Sequence, residues 1–558
     1  MKTFKSDWAQ AISAIVLALA LSAWASFPAA ALTVAPIFKS EMVLQRGVPV
    51  PLFGTANPGA TVDVQFQDQS VSTTAGGDGK WRVNLASMAA SPSAAQLLVS
   101  SPDGASISFA GVQVGEVWLC GGQSNMGFTL QNANGGAAAV AESSSFNIRL
   151  FRMTGGSGPS TTAWQVASPA SAAGFSAVCW WMGRELAQSF GNVPIGLIQA
   201  THDGTAIEQW THANGGTGED YDAMVKAIQP FALKGVAWYQ GESNGGDIAY
   251  ATKLGGMIQE WRSDWGQPSL PFGIVQLHAR SGWNAARNAQ LVVSQTLNDC
   301  FLVVIKDLPG GSLHPPEKKP VGIRTAIGAR GKVYGQTIVY SGPVRDVPNS
   351  YVSGQTVVLA WQHPGDGLFT SDGQAPGPFK IAGASGQFQN AQAAISGNTV
   401  TLTSSVAVPA KVQFAYSGTG NLFNRVYVPT EGGASSVDRL KASEFEIALA
   451  SGACTASRVR VAAIVPGTWS AGAGNKGGSA QVTILDDCGN AVAGATVQGT
   501  FSGGFSETGS EATGANGVAT IYTSGSKKGA LTFTFCVGSV AAGLVYDPGA
   551  NAETCDGL

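Results

Sequence analysis

Between residues 111 and 345, short uncharged apolar runs alternate with stretches of helical periodicity. No other feature of the chain limits its fold as strongly. The runs lie at 117–120, 195–199, 235–239, 272–277 and 301–305, and helical patterns at 180–190 and 250–261 fall between them. Short apolar strands separated by helices argue for a mostly parallel sheet covered on both faces. Ligands in such sheets bind at the carboxyl ends of the strands. The residues that follow each run are therefore where chemistry is expected.

The flanking regions read differently. Residues 32–110 are β-like: 61–66 alternates at period two, and Asn57-Pro58-Gly59 is a turn signal. This predicts a small β-sandwich. Strand patterning returns over 346–450, a β domain associated with the core. A separate run of short, regularly spaced strands over 456–558 predicts an immunoglobulin-like module. That module is a candidate for polysaccharide or protein contact, with a spacer role as the plainer alternative. At the other end, Lys2 and Lys5 precede an uncharged run over 11–27, and Ala29-Ala30-Ala31 follow. This is a signal-peptide pattern over 1–31, predicting a secreted or periplasmic protein with no membrane span after cleavage.

Seven cysteines fit export. Cys454, Cys488, Cys536 and Cys555 cluster near the C-terminus and allow up to two disulfides in three connectivities. Cys120, Cys179 and Cys300 sit in apolar surroundings and read as buried thiols. No C-x-x-C pair or other metal-ligand spacing stands out, so neither a metal nor a cofactor is expected. Charged residues are 12% of the chain and the net charge is −3. That balance excludes a basic nucleic-acid binder and charge-driven disorder.

Four post-strand segments carry candidate chemistry. Gly121-Gly122-Gln123-Ser124-Asn125-Met126 offers a serine in a glycine-bounded turn, where a hydroxyl is exposed and turn amides can hold an oxyanion. Met126 departs from the G-x-S-x-G elbow. The others are His202-Asp203-Gly204-Thr205, Gln240-Gly241-Glu242-Ser243-Asn244 and His314-Pro315-Pro316, the last followed by Lys318 and Lys319. With five histidines in the chain, one placed after the last strand is a candidate general base.

Together these segments resemble the sialate O-acetylesterase family, a branch of the SGNH hydrolases. Residues 115–126 resemble its nucleophile block, 237–244 its second block, and 314–318 with 321–324 its histidine block. Met42-Val43-Leu44-Gln45-Arg46 and Asn57-Pro58-Gly59-Ala60 resemble the family's N-terminal β region, and 377–380 with 421–424 a later one. The resemblance implies a three-layer α/β/α core with flanking β-sandwich domains. It implies Ser124 as nucleophile and His314 as base. It implies an oxyanion hole of the Ser124 amide, the Gly204 amide and the Gln240 side chain, with Glu242 and Asn125 in support.

The chain also departs from the pattern. Ser312 stands where the family has an acid before the histidine, and Asp307 lies seven positions back. A Ser–His dyad is therefore expected, with a backbone carbonyl fixing the histidine tautomer. His202-Asp203 replaces Trp-Gly. The resemblance implies hydrolysis of O-acetyl esters on sialic acid. Acetylated xylan or a similar glycan is the near alternative, and a carbohydrate-binding protein with an inactive core is a further one. No arginine cluster marks a carboxylate clamp, and Arg280, Arg287 and Arg324 have no assigned task.

Overall fold

The computed structural model describes residues 32–102, 104–155, 163–416, 418–430, 435–449, 456, 458–472, 474–486 and 490–558. The expected signal peptide, Cys454 and Cys488 lie outside the described residues. The chain forms two compact units. One comprises residues 1–340 with 429–436, and the other 341–428 with 437–558.

The first unit is organised by one long strand, β1 (Ser106–Gly122). It runs through residue 111 without interruption. Its first half pairs antiparallel with Ser91–Ser100 in the N-terminal β region. Its second half lies between β4 (Ile195–Thr201) and β5 (Gly235–Tyr239), parallel to both. The full core order is β3-β2-β4-β1-β5-β6-β7. Here β2 is Ile148–Thr154, β3 is Gln165–Val166, β6 is Phe272–Gln276 and β7 is Cys300–Val304. All neighbours are parallel except the short edge pair β3–β2. Strands β4 to β7 are buried along their whole length. That is why they read as continuous apolar runs rather than alternating ones. Strand β2 was not among the expected runs, since Arg149 and Arg152 interrupt its apolar character.

The connecting helices include α1 (Ser124–Gly127), α2 (Ala177–Phe190), α3 (Tyr250–Trp265), α4 (Asn284–Thr296) and α5 (Lys319–Lys332). Helices α2 and α5 pack on one another, as do α3 and α4. The N-terminal motif at 42–46 fastens the start of the core. Val43–Gln45 pairs parallel with β1, Gln45 Oε1 accepts from the Val117 amide (2.8 Å), and Arg46 pairs with the buried Glu116.

The cysteine expectation requires correction. Cys120 and Cys179 are not free thiols but a disulfide that ties the end of β1 to the first turn of α2. They are separated by 59 residues, and only the sheet topology brings their Cα atoms to 6.0 Å. Cys300 is a buried free thiol. Near the C-terminus, Cys536 bonds Cys555 across paired strands.

Between Val344–Ser353 and Phe445–Ala448 the chain builds a seven-stranded antiparallel sheet and a three-stranded one. From Arg458 onward, two further sheets enclose one apolar core that includes Val461, Val482, Phe501 and Phe535. Among the described residues no helix is long and apolar enough to cross a membrane.

The disulfide beneath Ser124 gives a direct test. A Cys120→Ala/Cys179→Ala variant is expected to lose about 2–5 kcal/mol of stability. Denaturant unfolding of the two proteins measures this, and equal midpoints would contradict it.

Candidate active site

The carboxyl ends of β1, β4 and β5 are neighbours in the sheet, and each hands over to one of the expected segments. The close approach of β1 to β5 depends on Gly122. It has φ +140°, and a Cβ there would lie 2.1 Å from the Tyr239 carbonyl oxygen. Past Gly122 the chain turns at Gln123 into α1, which places Ser124 at its start. Ser176 caps α2 and donates to the Met126 carbonyl (2.6 Å), which anchors the far end of α1.

His314 arrives from the loop between β7 and α5. Its Nε2 lies 2.8 Å from Ser124 Oγ across a sequence separation of 190 residues. The expected carbonyl on Nδ1 is not found, and among the described residues Nδ1 has no hydrogen-bond partner. Asp307 does not supply the missing acid, because both its oxygens face Arg324 at 2.7 Å. The loop is held through its backbone instead. His278 Nε2 donates to the Ser312 carbonyl (3.1 Å), and Asn125 Nδ2 donates to the Leu313 carbonyl (3.1 Å). The Ser312 hydroxyl accepts from the His314 amide (3.2 Å). His278 in turn is fixed by Arg287, which donates to the His278 and Arg280 carbonyls.

The amides of Ser124 and Gly204 have no hydrogen-bond partner among the described residues. Gly204 has φ +75° and open space where a Cβ would stand. Gln240 is placed differently from the expectation of a direct oxyanion donor. It is fully buried, its Nε2 donates to Asn244 Oδ1 (2.9 Å) and the Thr205 carbonyl (3.2 Å), and its Oε1 accepts from Tyr250 (2.7 Å). Both amide hydrogens are taken, so the side chain braces the Gly204-Thr205 turn.

Beneath Ser124, Asn125 is completely buried and bonded on both sides of its amide. Nδ2 donates to Glu242 Oε1 (2.7 Å), and Oδ1 accepts from Lys318 Nζ (2.5 Å). Burial pushes the Glu242 carboxyl up to about 7 and the Lys318 ammonium down to about 7, each opposed by the charge of the other. Sequence reasoning had no task for Lys318 or His278. Their inward orientation has no local signature.

His202 and Asp203 line a cleft of about 370 Å3 with Gly127, Arg152 and Thr201. His202 Nδ1 is 2.7 Å from Asp220 Oδ1. Among the described residues no three His, Cys, Asp or Glu side chains are placed to hold a metal.

Comparison with known proteins relates the chain to carbohydrate esterases. The family described as carbohydrate esterase, sialic acid-specific acetylesterase matches residues 114–319, a span that contains all four segments. Human sialate O-acetylesterase is 28% identical over 388 residues, covering 56% of this chain and 73% of that protein. A solved carbohydrate acetylesterase from Xanthomonas citri is 32% identical with a TM-score of 0.65, covering 74% of this chain and 99% of that one. The chain belongs to the sialate O-acetylesterase family. As a member of it, the protein is a carboxylic ester hydrolase. A probable carbohydrate esterase from Arabidopsis thaliana is 33% identical over 125 residues, 21% of this chain and 46% of that protein.

The electrostatics around His314 can be measured directly. Burial, then the Lys318 ammonium, holds its imidazole below the ordinary value, while the Asp203 carboxylate pulls upward. An NMR titration is expected to place its midpoint below about 6.5. Asp203→Asn removes the upward pull and moves the midpoint lower; an upward movement would contradict the assignment.

Proposed function

We propose that the protein hydrolyses O-acetyl esters on carbohydrates, with Ser124 as nucleophile and His314 as general base. The 2.8 Å contact between Ser124 Oγ and His314 Nε2 carries the reading. Ser124 Oγ attacks the acetyl carbonyl carbon as Nε2 takes its proton. The tetrahedral oxyanion is received by the Ser124 and Gly204 amides, whose lack of a hydrogen-bond partner among the described residues supports that role. Collapse breaks the ester C–O bond, and the imidazolium returns the proton to the leaving sugar oxygen. Water then repeats the sequence on the acetyl-enzyme and releases acetate. Gln240 keeps the Gly204 turn in place, and Glu242 and Asn125 support the histidine segment. We read the core as the three-layer α/β/α arrangement of the SGNH hydrolases. The two described disulfides are compatible with an exported protein.

For the sugar, the curated relatives named sialate O-acetylesterase support O-acetylated sialic acid. A second reading, acetylated neutral glycans such as xylan, is favoured by Asp203. Its exposed carboxylate is close enough to act on His314, and it would repel an anionic sugar. The Xanthomonas relative, titled a carbohydrate acetylesterase, is compatible with either sugar.

Acetate release from acetylated sialic acids and from acetylated xylan decides between them. On the better substrate, Ser124→Ala is expected to abolish turnover. His314→Ala is expected to lower kcat by about 10²–10⁴-fold. Turnover that survives Ser124→Ala would remove the mechanism. Faster release from xylan would retain the mechanism and change the sugar.

A further inference from the structure

Among the described residues no acid is hydrogen-bonded to His314, yet its imidazole is aimed at Ser124. Asn125 touches that segment on both sides of His314. Its Nδ2 donates to the Leu313 carbonyl, one residue before the histidine. Its Oδ1 accepts from Lys318, four residues after it and at the N-cap of α5. Lys318 is 1% exposed. Its Nζ lies over the faces of Phe128 (5.1 Å) and Tyr239 (5.4 Å), both of which favour a cation. Below about pH 7 Lys318 is an ammonium, which has donors only, so it dictates which end of the Asn125 amide faces it. With Oδ1 committed to Lys318, Nδ2 is left for Glu242 and Leu313. If that amide rotated by half a turn, its oxygen would face a carboxylate and a carbonyl.

We propose that Lys318 is a positioning residue that acts through Asn125. By setting the orientation of that one amide, it locks the backbone carrying His314 onto the turn carrying Ser124. This role rests on the Ser124–His314 reading above. The same ammonium adds positive charge near the imidazole and disfavours its protonated form. The charged groups that bear on His314 are Lys318, Asp203 and Arg280, with Glu242 beyond Asn125. His278 stands behind the Ser312 carbonyl and is kept neutral by burial.

The test uses the full chain with a chromogenic acetate ester. Lys318→Met retains the apolar stem between the two rings and removes the ammonium. It is expected to lower kcat by about 10²-fold with little change in KM, as a displaced catalytic group does. It is also expected to move the acid limb of the kcat profile to higher pH, which loss of packing alone would not do. Asn125→Ala is expected to give a similar loss. The double variant Lys318→Met/Asn125→Ala is expected to be no worse than either single change, since the two act as one unit. Multiplying losses, an unchanged kcat or an unmoved acid limb would each overturn the proposal.

Lys318→Met leaves the Glu242 carboxylate without its counter-charge. If that variant fails to fold, Lys318→Met/Glu242→Gln removes both charges and is measured in its place. A kcat clearly below that of Glu242→Gln alone supports the proposal. A kcat equal to that of Glu242→Gln alone overturns it, because Lys318 would then only neutralise Glu242. Wild-type turnover that does not depend on Ser124 would remove the underlying mechanism as well. Serine-dependent turnover that survives Lys318→Met removes the positioning role alone.

Discussion

Asn125 is adjacent to the proposed nucleophile in the chain, and its two amide ends reach the histidine loop, the start of α5 and the turn after β5. A buried amide with a donor and an acceptor end has one satisfied orientation in such surroundings, and the wrong one leaves polar groups unpaired at a cost of about 1–3 kcal/mol each. Three segments far apart in sequence thereby share one geometric reference. The remaining bonds in the histidine loop, from His278 to Ser312 and from Arg287 to the His278 carbonyl, extend the same backbone-based support.

That support is possible because the sheet delivers its strand ends side by side. β1 sits between β4 and β5, so the turns after all three converge. The β1–β5 contact needs a glycine at 122, and the disulfide from Cys120 to Cys179 ties β1 to α2 just before the turn. The N-terminal β region contributes to this arrangement through β1 itself, which pairs with strands of both regions.

Much of this was legible beforehand. The parallel core strands appeared as apolar runs because they are buried on both faces, and the run at 235–239 matches its strand end to end. Ser124, Gly204 and His314 were legible because each follows such a run and belongs to a recognisable segment. Strand β2 was hidden by its arginines. The Cys120–Cys179 bond was hidden by distance along the chain, and apolar neighbours suggested thiols. Gln240 belongs to a recognisable segment as well. Its segment does not reveal that Asn244 and Thr205 take both of its amide hydrogens.

The amino-acid sequence alone determined the class of core, the turns that converge at the carboxyl ends of its strands and the serine and histidine that meet there. These follow from local patterning, in which hydrophobic period, glycine placement and short motifs are read within a few residues. Only the tertiary structure decided what holds the histidine without an acid, which cysteines pair and where the Lys318 charge points. Most of those depend on contacts between residues 19 to 193 positions apart, and nothing in a local pattern encodes which distant groups a fold will bring within bonding reach.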